Sequence, residues 1–314
     1  MYKNFFICYF FFFSFRIDIY LKNILSISRN KIHNIINNKK IFVNNIIINK
    51  NFFLKRYDVI LIIINNKFKK NIKNIKNIKI LYEDNFLIIV NKPTNLIVHP
   101  TIINNNNTLI NYFLLKYNKL PYINFYRIGI VNRLDKDTTG IVIIAKNLNI
   151  LLKLQKQFKK RLVKKKYIAI VNGNNMLFKK KIIKNYLLKS KKKKNKVIIS
   201  NNKKLGKFSI TKLKVYKKLK FHTIIKCYPK TGRTHQIRVH LNSINYSIFN
   251  DKLYNNNSNI NNNNNYKLLF KKSFFILNRH ALHSYYIKFT HPFLKKKIIL
   301  RCNIPIDFKN FILL

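Results

Sequence analysis

The chain of 314 residues has no tryptophan, five glycines, three cysteines and eight acidic residues against 64 Lys plus Arg. The cysteines, Cys8, Cys227 and Cys302, are odd in number, scattered and without C-x-x-C spacing. That argues against a disulfide framework or a zinc site and fits a reducing compartment. The apolar run from Phe5 to Phe15 is shorter than the about 20 residues that a membrane-spanning helix needs. No small-residue cleavage site follows it, so it does not fit a secretory signal. We expect no membrane partner, and either a buried N-terminal strand or a poorly ordered extension over 1–15. Arg, Gly, Ala and Trp are scarce while Lys, Asn, Ile and Phe are over-used, a pattern that matches drift in an A+T-rich genome. Charge alone therefore specifies no particular function.

What is present is enough apolar material for a core, at 47% hydrophobic residues, and a formal net charge of +56. Self-repulsion at that charge calls for a polyanion, and nucleic acid is the natural partner.

From Arg16, the spacing of Ile17, Leu21, Ile24, Leu25 and Ser28 predicts a short amphipathic helix. Ser28 can cap a second helix carrying Ile32, Ile35 and Ile36. Short strands are expected at Ile41-Phe42-Val43, Ile46-Ile47-Ile48 and Val59 to Ile63, with a turn at Asn44-Asn45. Arg29, Lys31, His33, Lys39 and Lys40 fall on or beside the second helix, as an RNA-gripping face or merely a solvated one. Residues 65–79 read as a self-repelling linker between a small domain over 16–64 and a larger one over 80–310. Lys189 to Lys196 and Asn255 to Asn265 read as surface loops. The remainder alternates short β-branched runs, such as Leu87 to Val90, Gly140 to Ala145 and Phe221 to Cys227, with fewer helical segments. The expected class is α+β: a mixed, largely antiparallel sheet with flanking helices, preceded by a small α+β domain.

Two stretches carry the chemistry. Arg133-Leu134-Asp135-Lys136-Asp137-Thr138-Thr139-Gly140 places turn formers directly before a buried run, where a carboxylate can be held at the rim of a cleft. An ordinary Asx-type turn is the plainer reading. Thr231 to His240 gathers Arg233 and Arg238 with His235, Gln236 and His240. Guanidinium groups grip phosphate bidentately and favour an ionised carboxylate nearby. A metal held by His235 and His240 would lack a nearby acid or Cys to complete its shell.

Residues 80–310 resemble the RluA-type family of RNA pseudouridine synthases, and 16–64 resemble the alpha-L RNA-binding module that often precedes that catalytic domain. The resemblance rests on segments in the family's order. These are Leu81 to Asn85, Asn91-Lys92-Pro93 and His99-Pro100, then Arg133-Leu134-Asp135, then Lys166-Tyr167 with Ala169 and Gly173. Gly232 to His240, Asp251 with Tyr254, Arg279 to His283 and His291-Pro292 complete it.

The resemblance implies that Asp135 is the catalytic carboxylate, without cofactor or metal. It could attack C1' of the target uridine or take a proton from C2', and both routes need the anion. It further implies that Arg238 pairs with Asp135, with Arg233 as fallback, that Tyr167 stacks on uracil, and that Arg133 fills the space of an extruded nucleotide. Arg29, Lys31, Lys39 and Lys40 would bind RNA. Asn132 and Asn250 depart from the family's usual His and Gly; Asn250 can still adopt positive φ. The expected substrate is ribosomal RNA of the large subunit, with transfer RNA open, and the expected state is a monomer in a cytoplasm or a bacterium-derived organelle. Two rivals belong to other classes. One is a non-catalytic RNA-binding or ribosome-assembly factor derived from such an enzyme, and the other is a DNA-coating basic protein.

Overall fold

The computed structural model describes residues 2–7, 15–25, 29–64, 78–99, 108–117, 129–190, 196–254 and 276–313. Two compact units are present: residues 1–73 with 99–129, and residues 74–98 with 130–314.

In the first unit, strand β1 (Tyr2–Ile7) pairs antiparallel with β6 (Val59–Ile64), so a strand occupies the start of the N-terminal apolar run. Between them lie β2 (Phe15–Arg16), helices α1 (Ile17–Leu25) and α2 (Arg29–Asn37), β3 (Ile41–Val43), β4 (Ile46–Ile47) and β5 (Phe53–Leu54). Helix α3 (Leu109–Lys116) belongs to the same unit. The two expected helices share one apolar seam: Ile17, Leu21, Ile32 and Ile36 are buried together with Ile41, Val43, Leu54, Ile60 and Ile62. Ser28 lies outside the described residues. The β3–β4 turn has positive φ at both Asn44 and Asn45, 49° and 67°, the geometry whose twist suits a two-residue hairpin.

The second unit is built on β7 (Lys79–Glu83), β8 (Leu87–Lys92), β9 (Thr139–Ala145), α4 (Leu148–Lys159), β10 (Lys164–Asn172), β11 (Lys180–Lys189), β12 (Val197–Ser200), β13 (Lys207–Lys218), β14 (His222–Pro229), α5 (Gln236–Asn242), β15 (Leu282–Thr290), β16 (Lys297–Arg301) and α6 (Ile306–Ile312). One sheet runs β12-β11-β13-β14-β10-β15-β9-β8-β7, with β16 added beside β15. Every pairing is antiparallel except β9 with β15. This is the mixed, largely antiparallel sheet with few helices that the sequence predicts.

All seven residues of β9 are buried, as the unbroken apolar run Ile141 to Ala145 requires of a strand covered on both faces. Its parallel contact with β15 is close: a Cβ on Gly140, which has φ of +120°, would stand 2.2 Å from the Ser284 carbonyl oxygen. Only glycine fits there.

Two of the sequence motifs form a clasp at the β7–β8 turn. Asp84 accepts from the Tyr82 hydroxyl at 2.7 Å and from the backbone N–H of Phe86 and Leu87. Buried His291 accepts at Nδ1 from Phe293 and Leu294, which puts its proton on Nε2, 3.0 Å from Asp84. Phe86 stacks on Phe293 with ring centroids 4.2 Å apart.

The expected linker falls mostly on 65–77, outside the described residues, and β7 begins within its last position, Lys79. Asn255 to Asn265 also lies outside them. Lys189 to Lys196 lies between the paired strands β11 and β12; Ser190 N–H donates to the Lys196 carbonyl at 2.8 Å, and 191–195 lie outside the described residues. No helix among the described residues is long and apolar enough to cross a membrane.

Candidate active site

The loop that carries Asp135 is fixed from both ends and from beneath. At its start, Asn132 Oδ1 accepts from Ile143 N–H at 2.8 Å and Nδ2 donates to the Ile141 carbonyl at 3.2 Å. The residue that departs from the family's histidine thus ties the loop to β9. A turn follows, with Thr138 N–H donating to the Asp135 carbonyl at 3.1 Å. Thr138 then bonds His280 at 2.7 Å and Thr139 bonds His283 at 2.8 Å, both through their hydroxyls. Burial pushes both imidazoles down to about 4, so they serve as neutral hydrogen-bonding groups at neutral pH.

Lys92 is the anchor beneath. Fully buried at the end of β8, it donates to the carbonyls of Pro93 (2.8 Å), Leu96 (2.9 Å) and Lys136 (2.8 Å). Burial pushes its ammonium down to about 7, against the attraction of Asp137 and Asp135. Arg279 adds a bond to the Asp137 carbonyl at 3.2 Å while its Nε donates to Asp307 at 2.8 Å. The result holds Asp135 with a quarter of its side chain exposed.

The second segment approaches from the other side. Gln236 organises it: its Oε1 accepts from the Thr231 hydroxyl (2.7 Å) and Arg233 N–H (3.0 Å), and its Nε2 donates to Ile210 and Thr211 of β13. The chain enters α5 through His235 in the left-handed region, φ 53°. One turn on, Arg238 places Nη1 3.1 Å from Asp135 Oδ2 and binds Asp251 twice, Nε to Oδ2 and Nη2 to Oδ1, each at 2.7 Å. Asp251 is buried. Burial would push its carboxyl up, but the Arg238 bonds and charge outweigh that and hold it below the usual range. Asn250 presents Asp251 with φ 54°, the positive value expected for it, and donates to the Leu277 carbonyl at 2.7 Å. Arg233 turns elsewhere, donating from Nε to the Phe208 carbonyl at 3.1 Å, so Arg238 and not the fallback pairs with Asp135. His240 does not face Asp135; it is buried between Ser209 (2.9 Å) and Thr211 (2.8 Å).

Tyr167 stands on β10, paired with Cys227 on β14 and Ser284 on β15. Burial pushes its phenol up to about 12, with a Ser284 hydrogen bond opposing and the Asp135 charge adding to the rise. The phenol therefore stays protonated at neutral pH. Arg133 is exposed, two residues before Asp135. The structure pairs Asp135 with Arg238, places Tyr167 within reach of the Asp135 charge, and sets Arg133 on the Asp135 loop. It adds Lys92, Asp251 and Tyr254, to which the sequence pattern assigned no role, and His235, weighed from the sequence only as a metal ligand. Among the described residues no group of three or more His, Cys, Asp or Glu is placed to hold a metal ion.

In the first unit, Arg29 donates to buried Asp18 from Nε and Nη2, at 3.1 and 2.6 Å, while Arg16 and His33 bond the same carboxylate. Burial would push that carboxyl up; the bonds from His33, Arg29 and Arg16 outweigh it and hold it far down. Arg29 keeps 44% of its side chain exposed. Lys31 stands in α2, and Lys39 and Lys40 follow the helix, Lys39 exposed and left-handed at φ 53°.

Residues 86–243 match the family model described as RNA pseudouridylate synthase. The chain is 33% identical, over 89% of its length, to ribosomal large subunit pseudouridine synthase D of Buchnera aphidicola subsp. Schizaphis graminum, of which it covers 86%. It is 35% identical, over 95% of its length, to ribosomal large subunit pseudouridine synthase C of Buchnera aphidicola subsp. Acyrthosiphon pisum, of which it covers 92%. Among solved structures it shares the fold of human RNA pseudouridylate synthase domain containing 1, with TM-score 0.55 and 20% identity over 74% of this chain and 86% of that one.

Proposed function

Since the chain belongs to the RNA pseudouridylate synthase family, isomerases of uridine in RNA, we propose that it acts on large-subunit ribosomal RNA with Asp135 as its catalytic carboxylate. The observation that carries this reading is the Arg238 fork: two of its nitrogens are held by Asp251 and the third meets Asp135. A fixed positive group there holds one carboxylate oxygen in place and leaves the other to react by either chemical route.

Asp135 Oδ2 is the oxygen engaged by Arg238, which leaves Oδ1 to act on the ribose of an extruded uridine. The N1 to C1' bond breaks, the uracil turns, C5 joins C1', and a proton leaves C5. A phenol held protonated suits Tyr167 as a stacking surface and hydrogen-bond donor rather than as an ionised base. Arg133, exposed on the same loop, is placed to occupy the gap in the RNA stack, limiting an unstacking cost of about a few kcal/mol. Arg29, Lys31, Lys39 and Lys40 of the first unit supply phosphate contacts. The names of the C and D relatives support large-subunit ribosomal RNA as substrate.

The test is release of tritium from uracil C5 of labelled ribosomal RNA. The wild type releases label and Asp135→Asn does not. Release from transfer RNA alone would move the substrate, and release from neither would leave a binding protein.

A further inference from the structure

His235 is a non-glycine residue in the left-handed region, beside the proposed catalytic carboxylate and on a short helix it does not cap with its side chain. Such backbone conformations are unfavourable for a side chain with a Cβ and persist where the surroundings impose them, often at functional sites. Here the surroundings also fix its proton. The Tyr254 hydroxyl oxygen accepts from Val197 N–H at 2.8 Å, so its own proton must go elsewhere. Its remaining partner is His235 Nδ1 at 2.9 Å. Nδ1 is then the acceptor, and the ring proton sits on Nε2. Nε2 points at Asp135 Oδ2 across 3.8 Å, too far for a direct bond. Burial holds the imidazole below its ordinary value, with the charges of Asp135, Arg238, Asp251 and Arg133 acting in opposite directions, so the ring is neutral near pH 7.

A donor and an acceptor separated by 3.8 Å form a slot for one hydroxyl, which can accept from Nε2–H and donate to Oδ2. In a ribonucleotide positioned for chemistry at C1' or C2', the hydroxyl nearest the carboxylate is the 2'-OH. We infer that His235, with its tautomer set by Tyr254, reads the 2'-hydroxyl of the target uridine and thereby registers the sugar against Asp135. This makes it a specificity-determining residue for ribose over deoxyribose, the distinction that the 2'-OH allows. The inference rests on the proposed function of the same site.

The experiment uses the full-length protein and a stem-loop of large-subunit RNA, made with uridine or 2'-deoxyuridine at the modified position. Affinity and single-turnover rate are measured for both. The wild type should prefer the ribose form by about tenfold or more, the worth of a hydrogen bond to a charged partner. His235→Ala should cut that preference several-fold, leaving only the part due to the bond to Asp135 Oδ2, His235→Gln should restore part of the loss, and Tyr254→Phe should weaken the preference by releasing the tautomer. Because the readout is a ratio, a general loss of folding does not imitate it. Equal losses on both RNAs in His235→Ala, or no wild-type preference, would overturn the inference while leaving the proposed function standing. No turnover of the uridine RNA by the wild type would instead remove the proposed function.

Discussion

Arg238 and Asp251 are locked in a two-point pair, both bonds 2.7 Å, and the pair leaves one guanidinium nitrogen, Nη1, to reach Asp135. The buried carboxylate therefore aims the cation, and the cation holds the carboxylate proposed to react.

Asp251→Asn should lower turnover about a hundredfold or more, because Arg238 loses its alignment with Asp135. It should also cost stability, by less than the roughly 3–5 kcal/mol of a fully unpaired buried charge, because the buried guanidinium keeps only the partly exposed Asp135 as counter-ion. Arg238→Lys should fail to rescue activity, since an ammonium cannot span two carboxylates as the planar fork does. Single-turnover rates and urea unfolding of both variants are the checks. Full activity in Arg238→Lys would refute the fork's role.

Lys92→Met should slow turnover by about ten- to a hundredfold, because the loop carrying Asp135 loses the bond at its Lys136 carbonyl that ties it to the segment holding Pro93 and Leu96, whose carbonyls the same ammonium binds. The change should appear in kcat more than in KM, as Lys92 is enclosed and meets no RNA. An unaltered kcat would show that Asn132 and Arg279 suffice to hold the loop.

Gly140→Ala should destabilise the protein by about 3 kcal/mol or more. The new methyl would overlap the Ser284 carbonyl of β15, and alanine is strained at φ +120°. A thermal midpoint equal to the wild type's would contradict the close parallel contact of β9 with β15.

Stability should fall on mild acidification. His222, His240, His280 and His283 are each held by burial at about 4, below their ordinary 6.5. Between those values the unfolded chain binds protons that the folded chain refuses. Their stabilising contribution is complete above about 6.5 and is lost as pH drops toward 4, at up to about 1.4 kcal/mol per pH unit for each histidine. Urea midpoints at pH 7 and pH 5 test this, with the lower midpoint at pH 5. An equal or higher midpoint at pH 5 would contradict the buried, neutral imidazoles.

Much of this was legible in the chain. The paired helices at 17–37, the Asn44-Asn45 turn and the strands at Leu87, Gly140 and His222 follow from local periodicity and turn chemistry. The pairing of Asp135 with Arg238 rather than Arg233 was indicated by resemblance, and its geometric reason is α5, which carries Arg238 inward while Arg233 remains in the turn before it. Other features depend on contacts distant in sequence. Lys92 looks like any lysine in so basic a chain until three carbonyls close around it. Asn132 reads as drift from histidine, yet its amide completes the β9 edge. His235 is unremarkable without Tyr254, whose hydroxyl sets its tautomer. Asp18, one of eight acids, gathers Arg16, Arg29 and His33 only once α1 and α2 have packed.

The most direct measurement is a pseudouridine map of large-subunit ribosomal RNA from cells that lack this protein, complemented with either the wild type or Asp135→Asn. The account predicts that specific pseudouridines vanish without the protein, return with the wild type and stay absent with Asp135→Asn, although that variant still binds the RNA. Their return with Asp135→Asn would contradict it.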